Sequence, residues 1–301
     1  MTSPLLPRLR AALAGENLIE WSEGPGENEF ALFRAMFEVI DLSGDETPVR
    51  DGAIYAGALP EMVRLHARRP TAHVLFAELG ENWGAFSTTV LGRTADWGDW
   101  RARLADAGCS PEAVGRYLDD PAVKAVVTTQ HMAFDHPSIL PLPIGVRDAS
   151  GLLTALAQAD GDKTEDLLLN NSGWGHRRAV NERVVANFGG RLRNSFGLPQ
   201  ADYNRAVARA RFVLCPSGIG WDSYRVWETL ALGSIPIVEY APGWHRVLDE
   251  LPALFVTDFD EVTPALLAGA YPRLVADADR FDYGKLTRRW WARRIAAALA
   301  A

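Results

Sequence analysis

Cysteine, lysine and long apolar runs are scarce in these 301 residues, and each scarcity excludes something. The two cysteines, Cys109 and Cys215, make neither a disulfide framework nor a zinc set. Cys215 ends a predicted buried strand and is expected to be an inert core thiol. Lysine occurs only at Lys124, Lys163 and Lys285; arginine carries the other positive charges, as a GC-rich genome produces. A net charge of −7 argues against binding nucleic acid or an anionic membrane through overall charge. No apolar run reaches the roughly 18 residues of a membrane span. The start, Met1-Thr2-Ser3-Pro4-Leu5, lacks a basic region followed by an apolar core. A cytoplasmic chain without a transmembrane segment is expected. There is no Gly-x-Ser-x-Gly elbow and no His-Glu-x-x-His, which argues against the common hydrolases.

What is present suits a globular protein: 48% apolar and 23% charged residues, with ten tryptophans. The length predicts two domains of ~150 residues. Strand-like runs alternate with helical ones, which means parallel sheets. In the first half these runs are Ala53–Tyr55, Thr71–Leu79 and Val123–Thr128, with helices opening at Pro60 and at Ser110-Pro111. Phe30–Ile40 reads as a helix or as a helix then a strand. Ser150–Asp166 is polar and Ala-rich, and the domain junction is expected there. The second half has Leu167–Leu169 and Leu254–Val256 as strands, a helix from Thr263-Pro264 and a last helix over Lys285–Ala300.

The stretch Arg211–Glu239 carries the chemistry. Phe212-Val213-Leu214-Cys215 reads as a buried strand, Ser217-Gly218-Ile219-Gly220 as a turn that small residues open to a ligand, and Ile235–Val238 as the next strand. Between them lies a helix capped by Asp222 or Ser223 and ended by Gly233. The first N–H groups of such a helix lack partners and carry partial positive charge, so a phosphate fits there. Arg225 adds a guanidinium in the first turn. Glu228, three residues on, shares its face and offers a carboxylate to ribose hydroxyls.

The pattern Pro216-Ser217-Gly218-x-Gly220-x-Asp222-Ser223-x-Arg225-x-Trp227-Glu228-x-Leu230, then Gly233-Ser234-Ile235-Pro236-Ile237-Val238, resembles the C-terminal domain of exostosin-like glycosyltransferases. The resemblance spans roughly Leu167–Asp258 and implies an α/β fold of the GT-B type. In that fold two Rossmann-like domains face a central cleft. It implies an N-terminal acceptor domain over 1–155, a nucleotide-sugar domain over 156–283, and a helix over 284–301 crossing back to the first domain. It also implies inverting sugar transfer from a nucleotide diphosphate sugar to an acceptor hydroxyl on a glycan, lipid carrier, peptide or small metabolite. No cofactor and no metal are expected.

Donor binding is then assigned to Ser217, Gly218, Gly220, Asp222, Ser223, Arg225 and Glu228. The basic loop around His176 and Arg178 adds Arg177 and Arg183. The proton acceptor is expected past the ends of N-terminal strands: Glu81 beside Asn82 and Trp83, with Glu78 and His136 as further candidates and His131 and Asp135 nearby. A carboxylate beside an indole has its pKa raised toward a useful range. His136 before Pro137 also reads as a turn residue. Two alternatives stay open. Gly218-Ile219-Gly220-x-x-Ser223 with Glu239 imitates an NAD(P)-binding fingerprint, although Ser223 stands at the third glycine. The fold can also bind a nucleotide sugar without catalysis. Asp258-Phe259-Asp260 resembles a metal-binding Asp-x-Asp but precedes a helix start, where a cap or loop is the better reading.

Overall fold

The computed structural model describes residues 3–20, 31–78, 100–129, 135–218 and 220–301. The first half contains α1 (Leu5–Leu13), α2 (Ala31–Arg34), β1 (Val39–Asp41), β2 (Ala53–Ala58), α3 (Leu59–Arg68), β3 (His73–Glu78), α4 (Trp100–Asp106), α5 (Pro111–Asp119), β4 (Val123–Thr128) and β5 (Ile139–Pro141). Then follow α6 (Ala149–Gln158), β6 (Glu165–Leu168), α7 (Arg177–Asn187), α8 (Gln200–Arg209), β7 (Ala210–Leu214), α9 (Tyr224–Ala231) and β8 (Ile235–Glu239). The chain ends with α10 (Pro242–Val247), β9 (Leu254–Val256), α11 (Pro264–Ala276) and α12 (Arg288–Ala300).

The protein is α/β with two parallel sheets, ordered β1-β2-β3-β4-β5 and β6-β7-β8-β9. Each sheet anchors one compact unit. The first unit comprises Ser22–Ile144, Ala241–Val247 and Arg289–Ala301; the second comprises Met1–Trp21, Gly145–Tyr240 and Leu248–Arg288. The units therefore interleave along the chain, where the sequence reading expects contiguous spans of 1–155 and 156–283. The first residues group with the second sheet because α1 buries its apolar stripe of Leu5, Leu6, Leu9 and Leu13, with Leu5 in that sheet's core. Leu6 and Leu9 lie close against Gly233. From Arg289 onward the last helix groups with the first unit.

In the first unit, Tyr55, Leu75, Val126 and Ile139 pack beneath Leu59, Met62 and Val63 of α3 and Val114, Tyr117 and Leu118 of α5. Ser110 caps α5 by accepting the Ala113 N–H at 3.2 Å, with Pro111 at the first helical position. Phe30–Ile40 resolves into a short helix, α2, and an edge strand, β1.

In the second unit, Leu167, Phe212, Leu214, Ile235 and Ile237 pack with Val180 and Val184 of α7 and Leu267 and Ala270 of α11. The helices α8 and α9 stand outside that cluster and pack with α6 against one another and against β6, β7 and β8. The intervening Val213 and Val238 are also buried, so helices cover both faces of the sheet. This is why Phe212–Cys215 reads as a continuous apolar run. The predicted junction holds α6 instead of a linker. Asp148 caps it through the Gly151 N–H at 2.8 Å, and its buried residues are Leu152 and Leu156. So narrow an apolar stripe on an Ala-rich helix leaves little periodic signal. No helix among the described residues is long and apolar enough to cross a membrane.

Lys163 is buried in this unit, its Nζ donating to the Ala208 carbonyl at 2.8 Å and the Ser234 hydroxyl at 2.7 Å. Both partners are neutral, and burial lowers the ammonium pKa to about 7. Between that value and the unfolded ~10.4 the folded chain binds fewer protons than the unfolded one, so stability rises with pH. Below pH ~7 both states are protonated and the contribution levels off. The stability of the wild type relative to Lys163→Met is expected to climb from pH 7.5 to 9.5, by at most about 1.4 kcal/mol per pH unit. Parallel melting profiles for the two proteins across that range would contradict it.

Candidate functional site

The second sheet reverses its winding at β6. Just past β6, Leu169 pairs in parallel with Asn194, so α7 carries the chain to one side of β6. From there α8 returns it to β7 on the other side. The loops leaving the C-terminal ends of β6 and β7 therefore part in opposite directions, and such a switch point is where open α/β sheets hold ligands. The loops in question are Asn170–His176 and Cys215–Ser223.

The first loop is tied down by Asn171, which is fully buried. Its N–H donates to Asn194 Oδ1 at 2.9 Å, and Asn194 Nδ2 returns a bond to its carbonyl at 2.6 Å. Asn171 Nδ2 also donates to the Leu214 carbonyl at the end of β7, at 3.3 Å. Sequence reading names this loop but not Asn171; its signal is an Asn doublet placed directly after an apolar strand.

The second loop is held from three directions. Glu239, at the end of β8 and 2% exposed, accepts the Ser217 hydroxyl at 2.9 Å and its N–H at 3.2 Å. His176 Nε2, at the start of α7, lies 3.2 Å from the same hydroxyl and 3.6 Å from Glu239. Arg177 donates from Nε to the Ser217 carbonyl at 2.9 Å and from Nη2 to the Pro216 carbonyl at 3.2 Å. Gly218 leaves room for this guanidinium: a Cβ on it would stand 2.7 Å from Arg177 Nη2 and displace it. Its own N–H donates to the Gly220 carbonyl at 2.8 Å. Asp222 accepts the Trp227 indole N–H at 2.6 Å. Burial pushes the Cys215 thiol up to about 12, an unreactive core position. The structure thus engages Ser217, Gly218, Asp222 and Arg177 in shaping the loop.

The start of α9 is different. Ser223 occupies the N-cap position with extended backbone angles, yet its side chain makes no cap bond. Among the described residues its buried Oγ has no hydrogen-bond partner, and neither does the buried Nε of Arg225 in the first turn. Gly233, at φ 71°, closes the helix as the sequence predicts. Glu228 is 5% exposed, and burial raises its pKa. The Tyr203 hydroxyl, the guanidinium groups of Arg225 and Arg147, and the Arg147 N–H oppose that rise. Arg147 also lies over the Tyr224 ring, 4.6 Å from its centroid. Arg225 and Glu228 therefore share a face and interact, as their spacing predicts.

Arg183 is not brought to this loop. Six residues beyond Arg177 on α7, it lies 3.4 Å from Asp258 and 3.3 Å from Asp260. Asp258 also caps the 3-10 turn Phe259–Glu261 in a capping box, the cap reading of the sequence. Among the described residues no group of three or more His, Cys, Asp or Glu side chains could hold a metal ion.

Of the proton-acceptor candidates, Glu81 and His131 lie outside the described residues. Glu78 ends β3, in register with Ala58 of β2. His136 is engaged in the turn leading to β5: Nδ1 accepts the Ser138 N–H at 3.2 Å, and Nε2 lies 3.3 Å from Asp119. Asp135 pairs with Arg246 at 2.6 Å.

Comparison with known proteins adds a partial match. No curated protein matches the chain. Among solved structures, similarity is found to an alpha1,3-fucosyltransferase, at 13% identity and a TM-score of 0.36, over 82% of this chain and 76% of that one. A GtfA/B complex gives 12% identity and a TM-score of 0.38, covering 84% and 58%. A sucrose-phosphate synthase from Thermosynechococcus elongatus gives 16% and 0.28, covering 98% and 62%. Likenesses so slight say nothing of substrate or mechanism. Residues 194–267 match the profile of the RXYLT1 C-terminal domain. That match begins beyond Arg177 and Arg183 but contains Ser217 through Glu239. Over this span the chain is similar to the exostosin-like glycosyltransferases, as its motif implies.

Proposed function

We propose that the chain is a glycosyltransferase that moves a sugar from a nucleoside diphosphate sugar to an acceptor hydroxyl, with inversion and without a metal. The observation that carries this reading is the α9 N-terminus: a helix start at the switch point of a parallel sheet, its N-cap Ser223 side chain making no cap bond, with Arg225 in its first turn. The match over residues 194–267 supports it.

Sugar transfer requires that the donor diphosphate be held, that charge on it be stabilised as the sugar leaves, and that the acceptor hydroxyl lose a proton. The α9 N–H groups and the Arg225 guanidinium supply the first two, because a helix N-terminus and a charged fork both favour a dianion. They stand in for a cation at the leaving group. Glu228 receives the ribose hydroxyls, with the Arg225 and Arg147 guanidinium groups favouring its charged form. Ser217, Gly218, Gly220, Asp222 and Arg177 keep the loop in the shape that admits the phosphates. Glu81 is assigned the acceptor proton, with Glu78 and His136 as the remaining choices.

The dinucleotide reading fits less well. It would turn Glu239 toward a ribose, yet Glu239 is buried on Ser217. A binding module without catalysis is separated from the enzyme by turnover.

Arg225→Ala is expected to weaken binding of the matching nucleoside diphosphate ~10- to 100-fold by calorimetry, the loss typical of a hydrogen bond to a charged group. An unchanged dissociation constant would remove Arg225 from the site. Glu81→Gln should keep donor affinity and lower turnover at least ~100-fold, as for loss of a general base. Full activity in that variant would exclude Glu81 from the mechanism.

A further inference from the structure

Two indoles, one in the loop before α9 and one within the helix, are in opposite situations. Trp227 donates its N–H to Asp222 at 2.6 Å. Trp221, only 9% exposed, buries an Nε1–H that has no acceptor among the described residues. Within the next four residues come two more buried polar atoms without partners, Ser223 Oγ and Arg225 Nε. A buried donor left unpaired typically costs ~1–3 kcal/mol, and native chains keep only a few per hundred residues, so a run of them is unusual. Here three occur in five consecutive residues, directly before and within the first turn of α9.

Their chemistry is of one kind. An indole nitrogen and a guanidinium nitrogen are donors only, and a serine hydroxyl donates freely. The helix start beside them has an N-cap residue, Ser223, whose side chain makes no cap bond. Such a set matches a ligand that brings several acceptors, no donors and negative charge, which describes a phosphate. It does not match an apolar group.

We propose that Trp221 is a donor-binding residue, its indole N–H bonding a phosphate oxygen of the nucleoside diphosphate, with the Ser223 hydroxyl and Arg225 Nε–H bonding the same diphosphate. This rests on the reading of the α9 N-terminus as the donor site and adds a residue that sequence reading passes over. A merely structural Trp221 would need its ring and not its N–H.

Trp221→Phe keeps the ring and removes the donor. Calorimetric titration would use whichever of UDP, GDP, dTDP and CDP binds the wild type most tightly, together with its parent nucleoside. Trp221→Phe is expected to bind that diphosphate ~10- to 100-fold more weakly, the range for a hydrogen bond to a charged group, with nucleoside affinity unchanged. Ser223→Ala should shift in the same direction, and it reads the same cluster if Trp221→Phe does not fold. In the wild type, one of the ten indole N–H resonances should move on addition of inorganic pyrophosphate, and that resonance should be absent from Trp221→Phe. Diphosphate affinity unchanged in both variants, or an indole spectrum indifferent to pyrophosphate, would overturn the inference while leaving the donor site standing. A wild type that binds none of the four diphosphates would overturn the donor site and this inference together.

Discussion

The contact between Ser217 and Glu239 decides what the loop after β7 can do. A carboxylate 2% exposed at the end of β8 takes both the N–H and the hydroxyl of Ser217, and these bonds fix where the chain leaves β7. Arg177 then closes over the carbonyls of Pro216 and Ser217, which the lack of a Cβ on Gly218 permits. With the loop held from β8 and α7, its far end delivers α9 at a fixed height at the switch point. Removing the carboxylate would leave the Ser217 N–H buried without its acceptor and release the loop from the sheet.

Around that pinned loop the polar groups divide by whether they already have partners. Ser217, Asp222 and the Arg177 guanidinium bond to protein. Trp221, Ser223 and Arg225 each keep a buried atom without one. The first set makes a shape and the second leaves donors over, beside the positive end of a helix. Glu228 adds a carboxylate that interacts with Arg225. Two guanidinium groups, Arg225 and Arg147, favour its charged form against burial. That arrangement places an acceptor for hydroxyls near donors for phosphate, as a nucleoside diphosphate requires.

Much of this is legible in the sequence where local rules decide. Val123–Thr128 and Leu254–Val256 are strands with the predicted bounds, and Ser110-Pro111 and Thr263-Pro264 start helices as their chemistry dictates. Arg225 and Glu228 meet because three residues along a helix bring side chains to one face. What is not legible is which partner a surface chooses. The apolar stripe of α1 does not say that its core is the second sheet, so the grouping of the first residues with that sheet is not read from the sequence. Arg183 shares a basic run with Arg177, but six residues turn a helix by about 600° and advance it by ~9 Å, which carries it to Asp258 and Asp260. Glu239 looks like a ribose ligand because an acid ends an apolar strand; its burial appears only in three dimensions. Trp221 hides among ten tryptophans until the unpaired N–H singles it out.

The central claim is that a nucleoside diphosphate binds at the α9 N-terminus without a metal, and a thermal-shift panel of UDP, GDP, dTDP, CDP, NAD and NADP, with and without EDTA, tests it most directly. A ligand present at about 100 times its dissociation constant stabilises by ~2.7 kcal/mol, which shifts a melting midpoint by several degrees. The account predicts such a shift with one nucleoside diphosphate, unchanged by EDTA. A shift with NAD or NADP alone, or one lost in EDTA, would contradict it.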